Sequence, residues 1–278
     1  MQELVFLKLG GSLITDKTKP YTVRLDKLAD LASQIRNALQ TRPELLLVLG
    51  HGSGSFGHTA AKEYGTRDGP PLVPPLFSEK MGGDRGGYWH GFAEVWFQAT
   101  TLNRYVVQAL HEAGLPAMTF SPVASVWSDD GKVAGWDVSQ IEYALERGII
   151  PVVHGDVIFD RSKGGTILST EELFEYLARE LRPGQILLAG LEEAVWADFP
   201  ARRHRVEKLT RASFDEIRQN TRGATGADVT GGMESKVRQM LELAESVPGL
   251  TVQIFSGENP ENLGKALLGE HLGTLVEP

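Results

Sequence analysis

The sequence predicts an α/β fold with a largely parallel central sheet covered on both faces. Three features point there: short apolar runs without polar alternation, stretches of helical periodicity between them, and glycine-rich turns where the runs end. Leu4-Val5-Phe6-Leu7 reads as a buried strand, and Leu45 to Leu49 as a second. Between them Leu25, Leu28, Leu31, Ile35 and Leu39 recur at the spacing of one helix face. Further strands are expected at Ala117 to Phe120, Ile149 to Val153, Gln185 to Leu188 and Thr251 to Phe255. Ser169 with Glu172, and Ser213 with Glu216, match the capping box that opens a helix. Pro260 after Asn259 reads as a first-turn proline. Residues 65 to 87 are rich in glycine and proline and read as a long loop or lid. Residues 221 to 232 form another glycine-rich loop, opening onto a helix from Met233.

The 278 residues fit one large domain or two small ones. No clear linker divides them, although a sheet this long allows a division near residue 180 into two lobes. The net charge of −8, without a basic cluster, argues against nucleic-acid binding. The chain has no cysteine, which excludes disulfides, cysteine-ligated zinc, iron–sulfur clusters and a thiol nucleophile. No apolar run is long enough to span a membrane. Met1-Gln2-Glu3 lacks the basic start of a secretory signal, so a cytoplasmic location is expected.

Three glycine-rich loops suggest a phosphate site. They are Lys8-Leu9-Gly10-Gly11-Ser12, Gly50-His51-Gly52-Ser53-Gly54-Ser55-Phe56-Gly57-His58, and the loop ending at Gly231-Gly232. Glycine lets backbone amides converge on an anion, and a following helix adds its positive end. The first two loops end strands, where ligands bind in open α/β sheets. Gly52 to Gly57 matches the dinucleotide fingerprint G-x-G-x-x-G, but the required second strand and its acidic end are missing around Asp68. No Walker P-loop and no protein-kinase signature occurs.

Lys8 ends an apolar strand, where it is either solvent-exposed or buried against an anion. Lys17 lies in the polar run Thr15-Asp16-Lys17-Thr18-Lys19. Lys236 sits in the first turn of its helix, where a cation opposes the dipole unless an anion lies between them. His58 either faces solvent at a helix start or holds a phosphate. His154 reads as structural, with Gly155 and Asp156 nearer the site. Asp228 either caps its turn or touches nucleotide. Trp89, Phe92 and Trp96 share a helix face, with Tyr88 and Phe97 beside them; that face is either core packing or an apolar ligand pocket.

In order along the chain, Lys8-Leu-Gly-Gly-Ser, Thr15-Asp-Lys17, His51-Gly-Ser-Gly-Ser-Phe-Gly-His58, His154-Gly-Asp156 and Asp228-Val-Thr-Gly-Gly-Met-Glu-Ser-Lys236 resemble the amino acid kinase superfamily. Within it they are most similar to the isopentenyl phosphate kinases. The resemblance implies an open αβα sandwich with a mainly parallel central sheet, usually dimeric, using ATP and Mg²⁺ to convert isopentenyl phosphate into isopentenyl diphosphate. It implies an acceptor-binding lobe over about 1–180 and a nucleotide-binding lobe over about 181–278. Lys8 would bridge the donor and acceptor phosphates, Lys17 would stabilise the phosphoryl group in transfer, and His58 would hold the acceptor phosphate. Lys8, Gly10, Gly11, Ser12, Gly54, Asp228, Gly231 and Lys236 would face ATP. Gly52, Ser53, Gly54, Gly57, His58, Gly155, Asp156 and Thr170 would line the acceptor side. No metal ligand is assigned.

Two departures stand out. The family's triple glycine is Gly52-Ser53-Gly54 here, and its Thr-Asp-x-x-Gly-Val run is Gly190-Leu191-Glu192-Glu193-Ala194-Val195. Other acceptors on the same fold are fosfomycin, UMP, a carbamate or an amino acid carboxylate. A non-catalytic nucleotide sensor is the alternative of a different class. Phosphoryl transfer to a phosphate oxygen relies on positioning and on offsetting repulsion, roughly 4 kcal/mol for two like charges at 4 Å and a dielectric of 20. A missing general base is therefore expected.

Overall fold

The computed structural model describes residues 3–70, 84–199, 201–222 and 233–278. In chain order the elements begin with β1 (Glu3–Leu9), α1 (Gly11–Ile14), α2 (Leu25–Thr41), β2 (Leu45–His51) and α3 (Gly54–Tyr64). A short 3₁₀ turn, Thr66–Asp68, precedes α4 (Asp84–Glu112), β3 (Ala117–Thr119), α5 (Pro122–Ser125), β4 (Val126–Asp129) and β5 (Lys132–Trp136). Then come α6 (Ser139–Leu145), β6 (Ile150–His154), β7 (Asp156–Asp160), β8 (Gly164–Leu168), α7 (Thr170–Leu181) and β9 (Gln185–Gly190). The remainder is β10 (Val195–Trp196), β11 (Arg205–Val206), β12 (Lys208–Leu209), α8 (Arg211–Arg222), α9 (Met233–Ser246), β13 (Thr251–Ser256), α10 (Asn262–Leu267) and β14 (Thr274–Val276).

Among the described residues the main sheet has eight strands in the order β12-β14-β13-β9-β1-β2-β6-β3. It is parallel apart from the β13–β14 pair. The expected strands are therefore present and laid side by side, and their carboxyl ends form one edge. Alternation along β1 sorts the core. Val5, Leu7 and Leu9 face α2 and α4, packing with Leu31, Ile35, Leu102 and Leu110. Phe6 faces α7 and α9, packing with Leu177 and Met240 and meeting the Phe174 ring at 5.0 Å. Lys8 has the same parity as Phe6, so the pleat directs it toward α7 and α9.

Some expectations fail locally. The Ser169–Glu172 capping box forms as expected. The second box does not: α8 begins at Arg211, two residues before Ser213. Thr210 stands ahead of it, and Ser213 Oγ accepts from Thr210 N at 2.9 Å while Thr210 Oγ1 accepts from Ser213 N at 3.4 Å. A hydroxyl three residues on serves where the motif has a carboxylate, so the helix starts three residues earlier than the motif at Ser213 implies. Pro260 also lies outside its helix, because α10 begins after Glu261, whose φ of +69° breaks the turn. Within the expected loop 65 to 87, the 3₁₀ turn and the first residues of α4 are regular; residues 71–83, on which the lid reading rests, lie outside the described residues. A second sheet, β5-β4-β7-β8, was not foreseen.

Candidate active site

The phosphate-loop expectation starts from two strand ends. Lys8 pairs with Gly50, and Leu9 with His51, across the β1–β2 ladder, so both glycine turns leave the sheet at one level. They then interlock. A Cβ on Gly11 would lie 2.3 Å from Gly54 N, and one on Gly52 would lie 2.9 Å from Gly11 N. Only glycine allows the two backbones this close. Gly10 N donates to Ala189 O at 2.8 Å, joining the first turn to the end of β9. Ser12 lies in α1 behind it. Gly54 opens α3 at a φ of +51° and packs over Thr15. Ser53, the residue that departs from the family pattern, directs its hydroxyl over Gly57, where a Cβ would lie 2.3 Å away. Its side chain therefore packs against α3. His58 lies in α3, but its side chain is outside the described residues, as are Asp228 and Gly231.

Lys8 is 7% exposed and is buried against Glu171 of α7, to which it forms a close ion pair. Glu171 is 4% exposed and also lies 3.4 Å from Lys236 Nζ of α9. The arrangement follows from helix and strand periods. Glu171 lies one turn before Phe174, the residue that packs on Phe6, and Lys236 lies one turn before the buried Met240. Burial pushes the Glu171 carboxyl up, but Lys8 and Lys236 outweigh it and hold the group at about 2. Burial lowers the Lys8 ammonium pKa, aided by Lys236 and opposed by Glu171. The cluster thus carries a net positive charge at the carboxyl edge of the sheet, and Lys236, exposed to solvent, is its open side. Sequence reasoning found both lysines and missed Glu171, because an acidic residue in a first turn ordinarily serves the helix dipole at the surface.

Thr170 ties the loops together. Its hydroxyl donates to His51 O at 2.6 Å and accepts from Gly155 N at 2.9 Å, so both capacities are used in joining β2 to the turn after β6. Asp156 is fully buried, its Oδ1 accepting from Val157 N at 2.8 Å. Its Oδ2 has no hydrogen-bond partner among the described residues, and burial raises its pKa well above the usual carboxylate range. In the unliganded fold Thr170 and Asp156 thus brace the turn after β6 that the acceptor-side expectation names. His154 is structural as expected: it is buried, its ring lies 5.3 Å from that of His51, and burial lowers its pKa to about 3.

Lys17 is exposed at the tip of the segment between α1 and α2. Asp16 Oδ1 accepts from Thr18 N at 2.9 Å and from Thr18 Oγ1 at 2.6 Å, a local turn that shapes this tip. Between the tip and α3 is a recess of about 720 Å³, whose lining includes Lys17, Lys19, Lys62, Glu63, Gly54 and Ser55. Three lysines against one carboxylate give it a net positive charge that suits an anion. Across from it Glu192, the first acidic residue of the departing 190–195 run, is held by Arg202 at 2.6 and 2.9 Å and by Trp196 Nε1 at 3.2 Å. Arg202 above all, together with Lys17, keeps its carboxyl below the usual range. An acidic residue is therefore kept beyond β9, though tied to its own loop.

Among the described residues no group of three or more histidine, aspartate or glutamate side chains is arranged to hold a metal. Mg²⁺ commonly binds through one or two carboxylates plus substrate phosphates, keeping its own waters. The aromatic face of α4 is divided: Tyr88 and Phe92 pack with Val157 in a small core, while Trp89, Trp96 and Phe97 remain exposed. No described helix is long and apolar enough to cross a membrane.

The pattern of the amino acid kinase family matches residues 3–256. The isopentenyl phosphate kinase of Methanocaldococcus jannaschii is 32% identical over 99% of this chain and 98% of its own. That of Methanothermobacter thermautotrophicus is 34% identical over 98% of each. A solved isopentenyl phosphate kinase structure superposes with a TM-score of 0.80 at 30% identity, covering 98% of this chain and 99% of its own. With a matching sheet, interlocked glycine turns and relatives aligned end to end, the chain belongs to the amino acid kinase family.

Proposed function

We propose that this chain is a phosphotransferase that moves the γ-phosphoryl group of ATP to the phosphate of isopentenyl phosphate, yielding isopentenyl diphosphate and ADP. The observation that carries this reading is the Lys8–Glu171–Lys236 cluster, buried at Lys8 and Glu171 and open at Lys236, beside the interlocked glycine turns, in a chain that aligns nearly end to end with isopentenyl phosphate kinases. In the transfer an acceptor oxygen forms a bond to the γ-phosphorus and the bond to the β,γ-bridging oxygen breaks. The acceptor phosphate, with a second pKa near 6, is largely dianionic at neutral pH, so no base is needed. Cations and amides placed before the reaction must offset repulsion between the two anions.

In this reading Lys8 lies between donor and acceptor, where Glu171 keeps it oriented. Lys17 faces the phosphoryl group in transfer. His58, with the turn Gly52, Ser53, Gly54 and Gly57 and with Gly155, holds the acceptor phosphate. Gly10, Gly11, Ser12, Lys236, Gly231 and Asp228 face the nucleotide, whose Mg²⁺ screens its phosphates. The N-terminal part, to about residue 180, binds the acceptor, and the remainder binds the nucleotide. A homodimer in the cytoplasm, where ATP is supplied, completes the proposal.

A coupled ADP-release assay over isopentenyl phosphate, dimethylallyl phosphate, fosfomycin, UMP, glutamate and carbamate tests it. Release dependent on the prenyl phosphates is expected. Stimulation by UMP or glutamate, with none by the prenyl phosphates, overturns the acceptor assignment.

A further inference from the structure

Lys17 is exposed, and among the described residues its side chain has no hydrogen bond or ion pair; the Asp16–Thr18 turn shapes the tip, and the base of the hairpin sets where that tip stands. Residues 15–23 close through one antiparallel bridge, Thr15 to Val23, with Asp16 N donating to Thr22 O at 2.9 Å. On one side Thr15 Oγ1 accepts from Ser55 N at 3.1 Å, and Thr22 N donates to Ser55 Oγ at 3.4 Å, tying the hairpin to α3. On the other side stands Arg24. Its amide donates to Ile14 O at 2.9 Å and its Nη1 to Leu13 O at 3.0 Å. The same guanidinium grips Glu258 with both arms, Nη2 to Oε2 at 3.1 Å and Nη1 closely to Oε1. Lys27 adds a bond to Glu258 O at 3.1 Å and lies 3.8 Å from the carboxylate.

Glu258 is in turn fixed to the far half of the sheet. Its amide donates to Ser256 Oγ at 3.2 Å, and that hydroxyl donates to Leu191 O at 3.3 Å. Gly257 N donates to Gly190 O at 2.9 Å, and a Cβ on Gly257 would strike Leu13 at 2.5 Å. The base of the Lys17 hairpin is thereby bolted to the ends of β9 and β13, while its other side is tied to α3. As an ion pair with one third of each side chain exposed, Arg24–Glu258 adds little stability. A two-pronged guanidinium–carboxylate contact does fix direction.

We infer that Arg24 and Glu258 are positioning residues for Lys17, holding its hairpin in register between the two halves of the sheet without touching substrate. This rests on the reading in which Lys17 faces the transferred phosphoryl group. The test compares Arg24→Gln, Glu258→Gln, Lys17→Ala and the double variant Arg24→Gln/Lys17→Ala by steady-state kinetics with ATP and isopentenyl phosphate. Amide hydrogen exchange of the unliganded proteins is measured alongside. Each glutamine variant is expected to lose about tenfold or more in kcat, with either KM moving less than about threefold. In the Lys17→Ala background, Arg24→Gln should cost less than about twofold, because both changes act through one group. Exchange at Asp16 and Arg24 should quicken in both single glutamine variants.

Unchanged exchange in both, or an undiminished Arg24→Gln loss in the Lys17→Ala background, overturns the inference. Parental turnover by Lys17→Ala instead sinks the role given to Lys17, and exchange then decides alone whether the pair holds the hairpin. Glu258→Gln, nearly isosteric, keeps the test open should Arg24→Gln fold poorly.

Discussion

Glu171 sits between two lysines, and its charge decides what the cluster can bind. Held at about 2, it stays ionised throughout the neutral range, leaving one net positive charge for an incoming phosphate. Removing one partner of a buried pair leaves the other uncompensated, at a cost of about 3–5 kcal/mol. Glu171→Gln should therefore lower the denaturant midpoint. It should also lower the Lys8 pKa further, so that turnover falls at a less alkaline pH than in the parent; a pH–rate profile checks this. Lys17→Ala is expected to cut kcat by about two orders of magnitude or more while ATP still binds, as calorimetry would show. Lys8 was legible because a lysine ending an apolar strand, if buried, needs an anion. Glu171 was not, since its partner lies far along the chain and only the packing of α7 on β1 brings them together.

At the scale of elements, the interlocked turns do what no single loop does: they fix the spacing between the first turns of α1 and α3. Gly11→Ala forces a Cβ against Gly54 N, backbone against backbone, so α3 must move. Turnover is expected to fall about a hundredfold or more, with a drop in melting temperature, measurable by scanning fluorimetry. An enzyme with parental kinetics would show that the turns tolerate separation. The main strands and α2 were legible because burial on both faces leaves unbroken apolar runs. The second sheet was hidden by polar residues that its own turns require. In β4 the buried Ser128 bonds Asp160 at 2.8 Å, and Asp160 also accepts from Gly131 N at 2.8 Å and Lys163 N at 2.8 Å. Such a strand shows neither an apolar run nor an apolar alternation. The glycine turns were legible as a phosphate site, but their contact with each other is a property of the fold.

For the molecule as a whole, two buried histidines behind the site link folding to pH. Burial lowers the pKa of His51 and takes His154 to about 3, and the His51 ring bonds Asn103 at 3.1 Å. The unfolded chain takes up protons near 6.5 that the folded chain refuses. Their contribution is complete above about 6.5 and is lost as pH falls below it, for His154 down to about 3. Stability should therefore decline between about pH 7.5 and pH 5, by at most about 1.4 kcal/mol per pH unit for each histidine, and His154→Gln should flatten the slope. Urea midpoints across that range would show it; a midpoint independent of pH would contradict it.

The proposed transfer is observed most directly by ³¹P nuclear magnetic resonance of the full chain with ATP, Mg²⁺ and isopentenyl phosphate. The expected result is loss of the monophosphate signal, appearance of the two coupled resonances of a prenyl diphosphate, and ADP formed in equal amount. ATP left intact, or ATP hydrolysed to inorganic phosphate with the monophosphate unchanged, would contradict the account.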